Sequence, residues 1–123
     1  MTVAVRCLIV DDNRCFLHAA RELLEQEGMV VVGVAATTAE ALSGVAELRP
    51  DVTLVDVDLG DESGFELARR LADDPGLDPG RLVMVSAHVE EDVAELMETS
   101  PAIGFLYKPT LSAEAIHRLL RAA

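Results

Sequence analysis

Apolar runs alternate with amphipathic stretches along the whole of this chain, and that alternation leaves few folds open to it. The apolar runs are Val3–Val10, Met29–Ala35, Val52–Val55, Leu82–Val85 and Ile103–Tyr107. The first reads as a strand buried on both faces, and the second is rich in Val. After Val10, Asn13–Glu27 carries Phe16, Leu17, Ala20, Leu23 and Leu24 at helical spacing, and Gly28 stops it. A second helix is expected over Ala39–Leu48, capped by Thr38 and ended by Pro50. Ser63-Gly64 opens a third over Phe65–Ala72, and Pro75, Gly76, Pro79 and Gly80 form the loop that follows. A fourth is expected over Glu90–Glu98, stopping before Pro101, and a last over Ala113–Arg121 with Ser112 as cap. Five β-α units in succession predict a doubly wound α/β fold, a parallel sheet with helices on both faces. The strand order 2-1-3-4-5 is taken by analogy with known doubly wound sheets. No linker or low-complexity segment interrupts the 123 residues, so residues 1–123 are expected to form one domain.

Four of the runs end in polar residues. Val3–Val10 ends in Asp11-Asp12, Val52–Val55 in Asp56, Leu82–Val85 in Ser86, and Ile103–Tyr107 in Lys108-Pro109. Were these strands parallel neighbours, the five side chains would meet at the edge where open α/β sheets bind ligands. Carboxylates, a hydroxyl and an ammonium together suit a divalent cation and a phosphoryl group.

Each residue also has a plainer use. Asp11-Asp12 can cap the helix that follows. It can equally hold a hard cation such as magnesium, which takes oxygen ligands and keeps several waters. A lone Asp at a strand end often serves a turn, and that is the plainer use of Asp56 taken on its own. Beside Asp11 and Asp12, however, it would sit among repelling carboxylates, which need a cation or a raised pKa. Kept ionised by a cation, Asp56 can act as the nucleophile of phosphoryl transfer and form an aspartyl phosphate. Lys108 offers a point charge to phosphoryl oxygens, and a cis bond to Pro109 would aim it inward. Ser86 offers a hydroxyl to the same group.

The formal net charge is −12, with 22 acidic against 10 basic residues. Phosphate backbones and anionic membranes call for basic surfaces, so neither nucleic acid nor membrane is expected as a direct partner. The acidity serves solubility. No apolar run approaches the length of a membrane span, and the first residues lack a basic stretch followed by an apolar one. The expected location is cytoplasmic. Cys7 and Cys15 are expected to be reduced core fillers, and no Cys/His cluster has zinc-ligand spacing.

In these motifs the chain resembles the receiver domain of bacterial two-component response regulators. The resemblance covers the whole chain. It rests on L-I-V-D-D at Asp11-Asp12, L-V-D-V-D-L-G-D-E-S-G-F-E-L around Asp56, V-M-V-S-A around Ser86 and G-F-L-Y-K-P around Lys108. The stretch V-V-V-G-V-A-A-T-T-A-E-A-L is similar to receivers that precede a helix-turn-helix output domain. The resemblance implies a flavodoxin-like fold and a phosphoacceptor at Asp56, supplied by a sensor histidine kinase or a phosphotransfer protein. It implies Mg2+ held by Asp11, Asp12 and Asp56 with the backbone carbonyl of Asp58. Ser86 and Lys108 would contact the phosphoryl group. Phe105 would change rotamer as Ser86 moves, reshaping a face made by the fourth helix, the fifth strand and the last helix. An output domain or partner would read that face, and phosphorylation-dependent homodimers belong to the same expectation. The only catalysis implied is of the chain's own phosphorylation and dephosphorylation.

Three positions depart from the commonest receiver pattern. Gly60 stands where many receivers have Pro, which suggests a more mobile loop. Asp58 adds a carboxylate beside Asp56. His88, two residues past Ser86, is either an exposed loop histidine or a group that influences water at the site. With Asp58 it is a candidate for setting the phosphate's lifetime.

Two other readings compete. Asp56-Val57-Asp58 matches the short D-x-D signature of haloacid-dehalogenase-like phosphatases, but that motif normally lies on the first strand of a longer chain, and Asp11-Asp12 would be unexplained. A protein-binding module without phosphorylation would have no need of all five site residues. A flavin-binding reading of the fold lacks a phosphate-binding loop after the first strand.

Overall fold

A computed structural model describes residues 4–87 and 98–122. Its main sheet holds β1 (Arg6–Val10), β2 (Val30–Ala35), β3 (Val52–Asp56), β6 (Arg81–Ser86) and β7 (Gly104–Tyr107). Their order is β2-β1-β3-β6-β7, with every neighbouring pair parallel. This is the expected 2-1-3-4-5 arrangement once a small hairpin is set aside. That hairpin, β4 (Asp58–Leu59) and β5 (Glu62–Ser63), is antiparallel and had no signal in the apolar pattern. The helix expected over Glu90–Glu98 lies outside the described residues except for Glu98, and His88 lies outside them too.

The sheet separates two apolar layers, as side-chain alternation requires. On one side Cys7, Ile9, Leu54, Val83 and Val85 pack against Leu17, Ala20 and Leu24 of α1 (Arg14–Gln26) and Ile116 of the C-terminal helix (Ala113–Ala122). On the other, Leu8, Val10, Val55 and Met84 meet Ala41 and Val45 of α2 (Thr38–Leu48) and Leu67, Ala68 and Leu71 of α3 (Gly64–Asp73). β3 is buried along its whole length, which fixes Asp56 at the end of the most enclosed strand.

Several elements differ from expectation. Thr37, not Thr38, caps α2, because its hydroxyl accepts from the Glu40 backbone N–H while Thr38 is already helical. Cys15 is exposed on the first turn of α1 and fills no core. Cys7 is buried, and burial pushes its thiol up to about 12, so it stays a neutral apolar filler. No peptide bond among the described residues is cis, so Lys108-Pro109 is trans. Lys108 instead opens a 3-10 turn over Lys108–Thr110, and that turn carries its side chain back over the sheet edge. Gly60 has φ 74°, a conformation closed to proline. Gly60-Asp61 is the two-residue turn of the β4–β5 hairpin, and glycine at its first position fits the mirror-image turn that hairpins favour.

Two side chains bind distant helix ends. The Arg6 guanidinium donates to the Arg49 carbonyl at 2.8 Å and the Leu48 carbonyl at 2.6 Å, placing positive charge at the C-terminus of α2. The Glu27 carboxylate accepts from the Ala113 N–H at 2.8 Å, placing negative charge at the N-terminus of the C-terminal helix.

Candidate functional site

The ends of β1, β3, β6 and β7 bring Asp11, Asp12, Asp56, Ser86 and Lys108 to one edge of the sheet. The register explains this. Val10 pairs with Val55, Asp56 with Val85, and Ser86 with Tyr107, so each polar residue lies at the last paired row or within two steps of it.

Asp11 is fully buried. Its Oδ1 accepts from the Asn13 N–H at 2.8 Å, and Asn13 Oδ1 in turn accepts from the Phe16 N–H at 3.1 Å. Asn13 therefore caps α1, which frees the Asp11-Asp12 pair from that role. Asp12 is exposed. A Cβ on Gly60 would stand 3.2 Å from Asp12 Oδ2, so the hairpin turn closes against this carboxylate.

Asp56 is 6% exposed. Its Oδ1 accepts from the Asp58 N–H at 3.2 Å, and its Oδ2 accepts from Lys108 Nζ at 3.1 Å. The Asp58 side chain turns to its own loop, where Oδ1 accepts from the Gly60 N–H at 3.1 Å. Gly64 starts α3 against the back of Asp56. A Cβ there would stand 1.8 Å from the Asp56 carbonyl oxygen, so only glycine lets α3 approach this closely.

Lys108 pairs with Asp11 as well as Asp56, and its side chain is largely buried. Its ammonium also lies 4.3 Å from the centre of the Phe16 ring. Asp11 Oδ2 meets the ammonium as an ion pair but not in hydrogen-bonding geometry, and this buried oxygen has no other partner.

Burial is the main force that raises the Asp56 carboxyl to about 6, with the Asp11 charge adding to it. The Asp58 N–H and Lys108 oppose that rise. Burial alone would pull Lys108 down, but the two carboxylates outweigh it and hold the ammonium above its usual value.

One oxygen from each of Asp11, Asp12 and Asp56 fits within a sphere of contact of 4.8 Å. Hard oxygen donors at this spacing, one of them buried without a hydrogen bond, fit a divalent cation. By alternation Asp56 continues the row of Val52 and Leu54 on the α1 side. Ser86 continues the row of Leu82 and Met84 on the α3 side. Met84 pairs with Phe105, so Ser86 and the partly buried Phe105 share that second face.

A family model described as the response regulator receiver domain matches residues 7–121. The chain belongs to this family. It is 36% identical over 123 residues to protein-glutamate methylesterase/protein-glutamine glutaminase 5 of Myxococcus xanthus, covering 97% of this chain and 35% of that protein. The chain thus spans about a third of the length of the curated relatives it matches. Among solved structures, the signal receiver domain of the putative response regulator NarL from Mycobacterium tuberculosis has a TM-score of 0.82 at 28% identity, with 98% of this chain and 97% of that one covered. A response regulator protein from Burkholderia pseudomallei, solved with a phosphorylated aspartic acid, a calcium ion and citrate, has a TM-score of 0.79 at 27% identity. That match covers 94% of this chain and 66% of the other. Receiver domains of two-component systems are phosphoacceptors, and they generally bind Mg2+ at an acidic pocket. The haloacid-dehalogenase reading is not favoured.

The sequence marked all five edge residues. It gave no sign that Asn13 would take the cap, that Gly64 would press on Asp56, or that Phe16 would face Lys108. The last two depend on which helix packs beside which strand end.

The raised Asp56 pKa has a consequence for stability. In metal-free protein the folded state binds more protons than the unfolded one between about pH 4 and 6, so stability falls as pH rises through that window. The loss is complete above pH 6 and absent below 4. Asp56→Asn should therefore be more stable than wild type at pH 7 by about 3 kcal/mol, narrowing toward zero at pH 4. Urea unfolding of both proteins in chelator at the two pH values measures this, and an unchanging gap would contradict it.

Proposed function

We propose that the chain is a phosphoacceptor switch of a two-component pathway, phosphorylated on Asp56 with Mg2+. The observation that carries this reading is the Asp56 carboxylate, buried at the end of the central strand between Lys108 and two further aspartates.

A carboxylate oxygen of Asp56 attacks the phosphorus of a phosphohistidine or of a small acyl phosphate. The bond from phosphorus to the donor's nitrogen or oxygen breaks, and its electron pair leaves with the donor, which takes up a proton. The product is an aspartyl phosphate. Asp11, Asp12 and Asp56, with the Asp58 backbone carbonyl, would hold Mg2+, which supplies charge neutralisation for the phosphoryl oxygens. Lys108 adds a second positive charge on the Asp56 Oδ2 side and is free to follow the phosphoryl oxygens once the carboxylate is esterified.

Ser86 hydrogen-bonds the phosphoryl group from the α3 side. Because Ser86 and Phe105 share one face of adjacent strands, its movement opens space for the ring to turn inward. The changed face, which includes β7 and the C-terminal helix, signals to an output domain or partner, or forms a homodimer on phosphorylation. The donor is a sensor histidine kinase or phosphotransfer protein in the cytoplasm. The methylesterase relatives support a methylesterase output, and the resemblance of Val30–Leu42 to receivers that precede a helix-turn-helix domain supports a DNA-binding one. With a formal net charge of −12, the receiver itself is not expected to bind nucleic acid.

Incubation with acetyl phosphate and Mg2+ should add one phosphate to the intact mass. Asp56→Asn should add none, and excess chelator should suppress wild-type labelling. Acid-stable labelling of Asp56→Asn would sink the reading. No labelling of wild type would favour a binding module that works without phosphate.

Ser86→Ala should still accept phosphate but respond less at the output face. Amide chemical-shift changes in β7 and the C-terminal helix as large as in wild type would separate Ser86 from the switch.

Asp58 and His88 set how long the phosphate lasts. Asp58 has one carboxylate oxygen bound to Gly60 and a second with which to orient a water, and a neutral His88 offers both a donor and an acceptor. Asp58→Ala and His88→Ala should decay more slowly in Mg2+ than wild type without losing the ability to label. Equal decay rates in all three proteins would leave both residues as loop surface.

A further inference from the structure

The steps above make no use of Phe16, yet its ring is the third group facing the Lys108 ammonium. Asp11 and Asp56 both pair with Nζ, and the ring centre lies 4.3 Å from it. A lysine has a flexible four-carbon stem and a strongly hydrated head, so its natural alternative is to swing out into water. An aromatic face within about 6 Å attracts the cation through its quadrupole. It offers no acceptor lone pair to compete with the carboxylates.

The ring's place is set independently of the lysine. Phe16 is partly buried and packs against the α1-side core. Its backbone N–H donates to Asn13 Oδ1, and the Asn13 N–H donates to Asp11 Oδ1. One short series of contacts therefore registers the ring to the buried carboxylate that Lys108 pairs with. We propose that Phe16 is a positioning residue for phosphoryl transfer, its ring holding the Lys108 ammonium over the Asp11–Asp56 pair. The proposal rests on Asp56 as phosphoacceptor. It gives the first turn of α1 a part in the chemistry and not only in packing.

The test compares wild type, Phe16→Leu and Phe16→Tyr, with Phe16→Met in place of the Leu variant should that one fail to fold. Leucine keeps the apolar contact and removes the π face, whereas tyrosine keeps both. Labelling by acetyl phosphate in Mg2+ should slow about fivefold in Phe16→Leu, equal to about 1 kcal/mol at about 1.4 kcal/mol per tenfold. Phe16→Tyr should recover most of the rate. In a Lys108→Ala background the Leu substitution should cost nothing further, since the interaction is already gone. An equal slowing in both backgrounds, a wild-type rate for Phe16→Leu, or no rescue by tyrosine overturns the proposal. A second readout needs no phosphate. The ring should displace the Lys108 ε-methylene proton shifts in wild type and Phe16→Tyr, and Phe16→Leu should abolish the displacement. If wild type takes no label at all, the phosphoacceptor reading fails. In that case the positioning claim falls with it, whereas in a wild type that does take label, unchanged ε-methylene shifts in Phe16→Leu overturn the positioning claim alone.

Discussion

One ammonium compensates the buried carboxylates of this site. Asp11 is fully enclosed and Asp56 nearly so, and ionised groups in that setting are stable only when paired. Lys108 reaches both from the end of an edge strand, and its own charge is strengthened in return. The cluster is still not neutral. Asp12 adds a third carboxylate, Asp56 is pushed up to about 6, and Asp11 Oδ2 lacks a hydrogen bond. A site with this surplus of negative charge is poised for a cation, and the same surplus keeps the strand ends from collapsing into a closed network of ion pairs.

The scaffold answers this electrostatic demand with close packing. β3 is buried throughout, so the backbone that carries Asp56 has little freedom to move. Gly64 lets α3 abut the Asp56 carbonyl, and Gly60 turns the small hairpin so that it closes beside Asp12. Asn13, by capping α1, leaves the aspartates before it free to face the site. The Asp56 carboxylate is thus held by the backbone, while the charges around it come from side chains at the ends of two other strands, β1 and β7. Such a division suits a switch. In the proposed switch the rigid part sets where the phosphoryl group goes, and β6 and the edge strand β7 carry the groups that respond.

Helix termini are tied across the fold by side chains from unrelated elements. Arg6 of β1 closes the end of α2, and Glu27 after α1 closes the start of the C-terminal helix. Glu27 links the end of α1 to a helix that forms part of the proposed output face. Both contacts join residues far apart in the chain, and each places a charge of the favourable sign at a helix end.

The apolar periodicity alone determined the alternation of strands and helices, because burial on both faces of a parallel sheet favours continuous apolar runs within the strands. It also determined which residues would stand at the strand ends, and so the composition of the site. Conformations set by a local neighbour or a distant backbone were less legible. Thr37 and Thr38 are both good caps, and only the observed hydrogen bond to Glu40 separates them. The hairpin of Asp58–Ser63 has too few residues for a periodic pattern. Cys15 follows a buried strand in sequence yet faces water, because the helix rotation there turns Leu17 and Ala20 inward instead. Lys108 points to the aspartates through a 3-10 turn with a trans proline bond, a choice of backbone path that the dipeptide does not encode. The meeting of Phe16 with Lys108, and of Gly64 with Asp56, was decided by tertiary structure alone. Contacts of that kind depend on how helices pack across the sheet, and packing distance is a property of the folded whole.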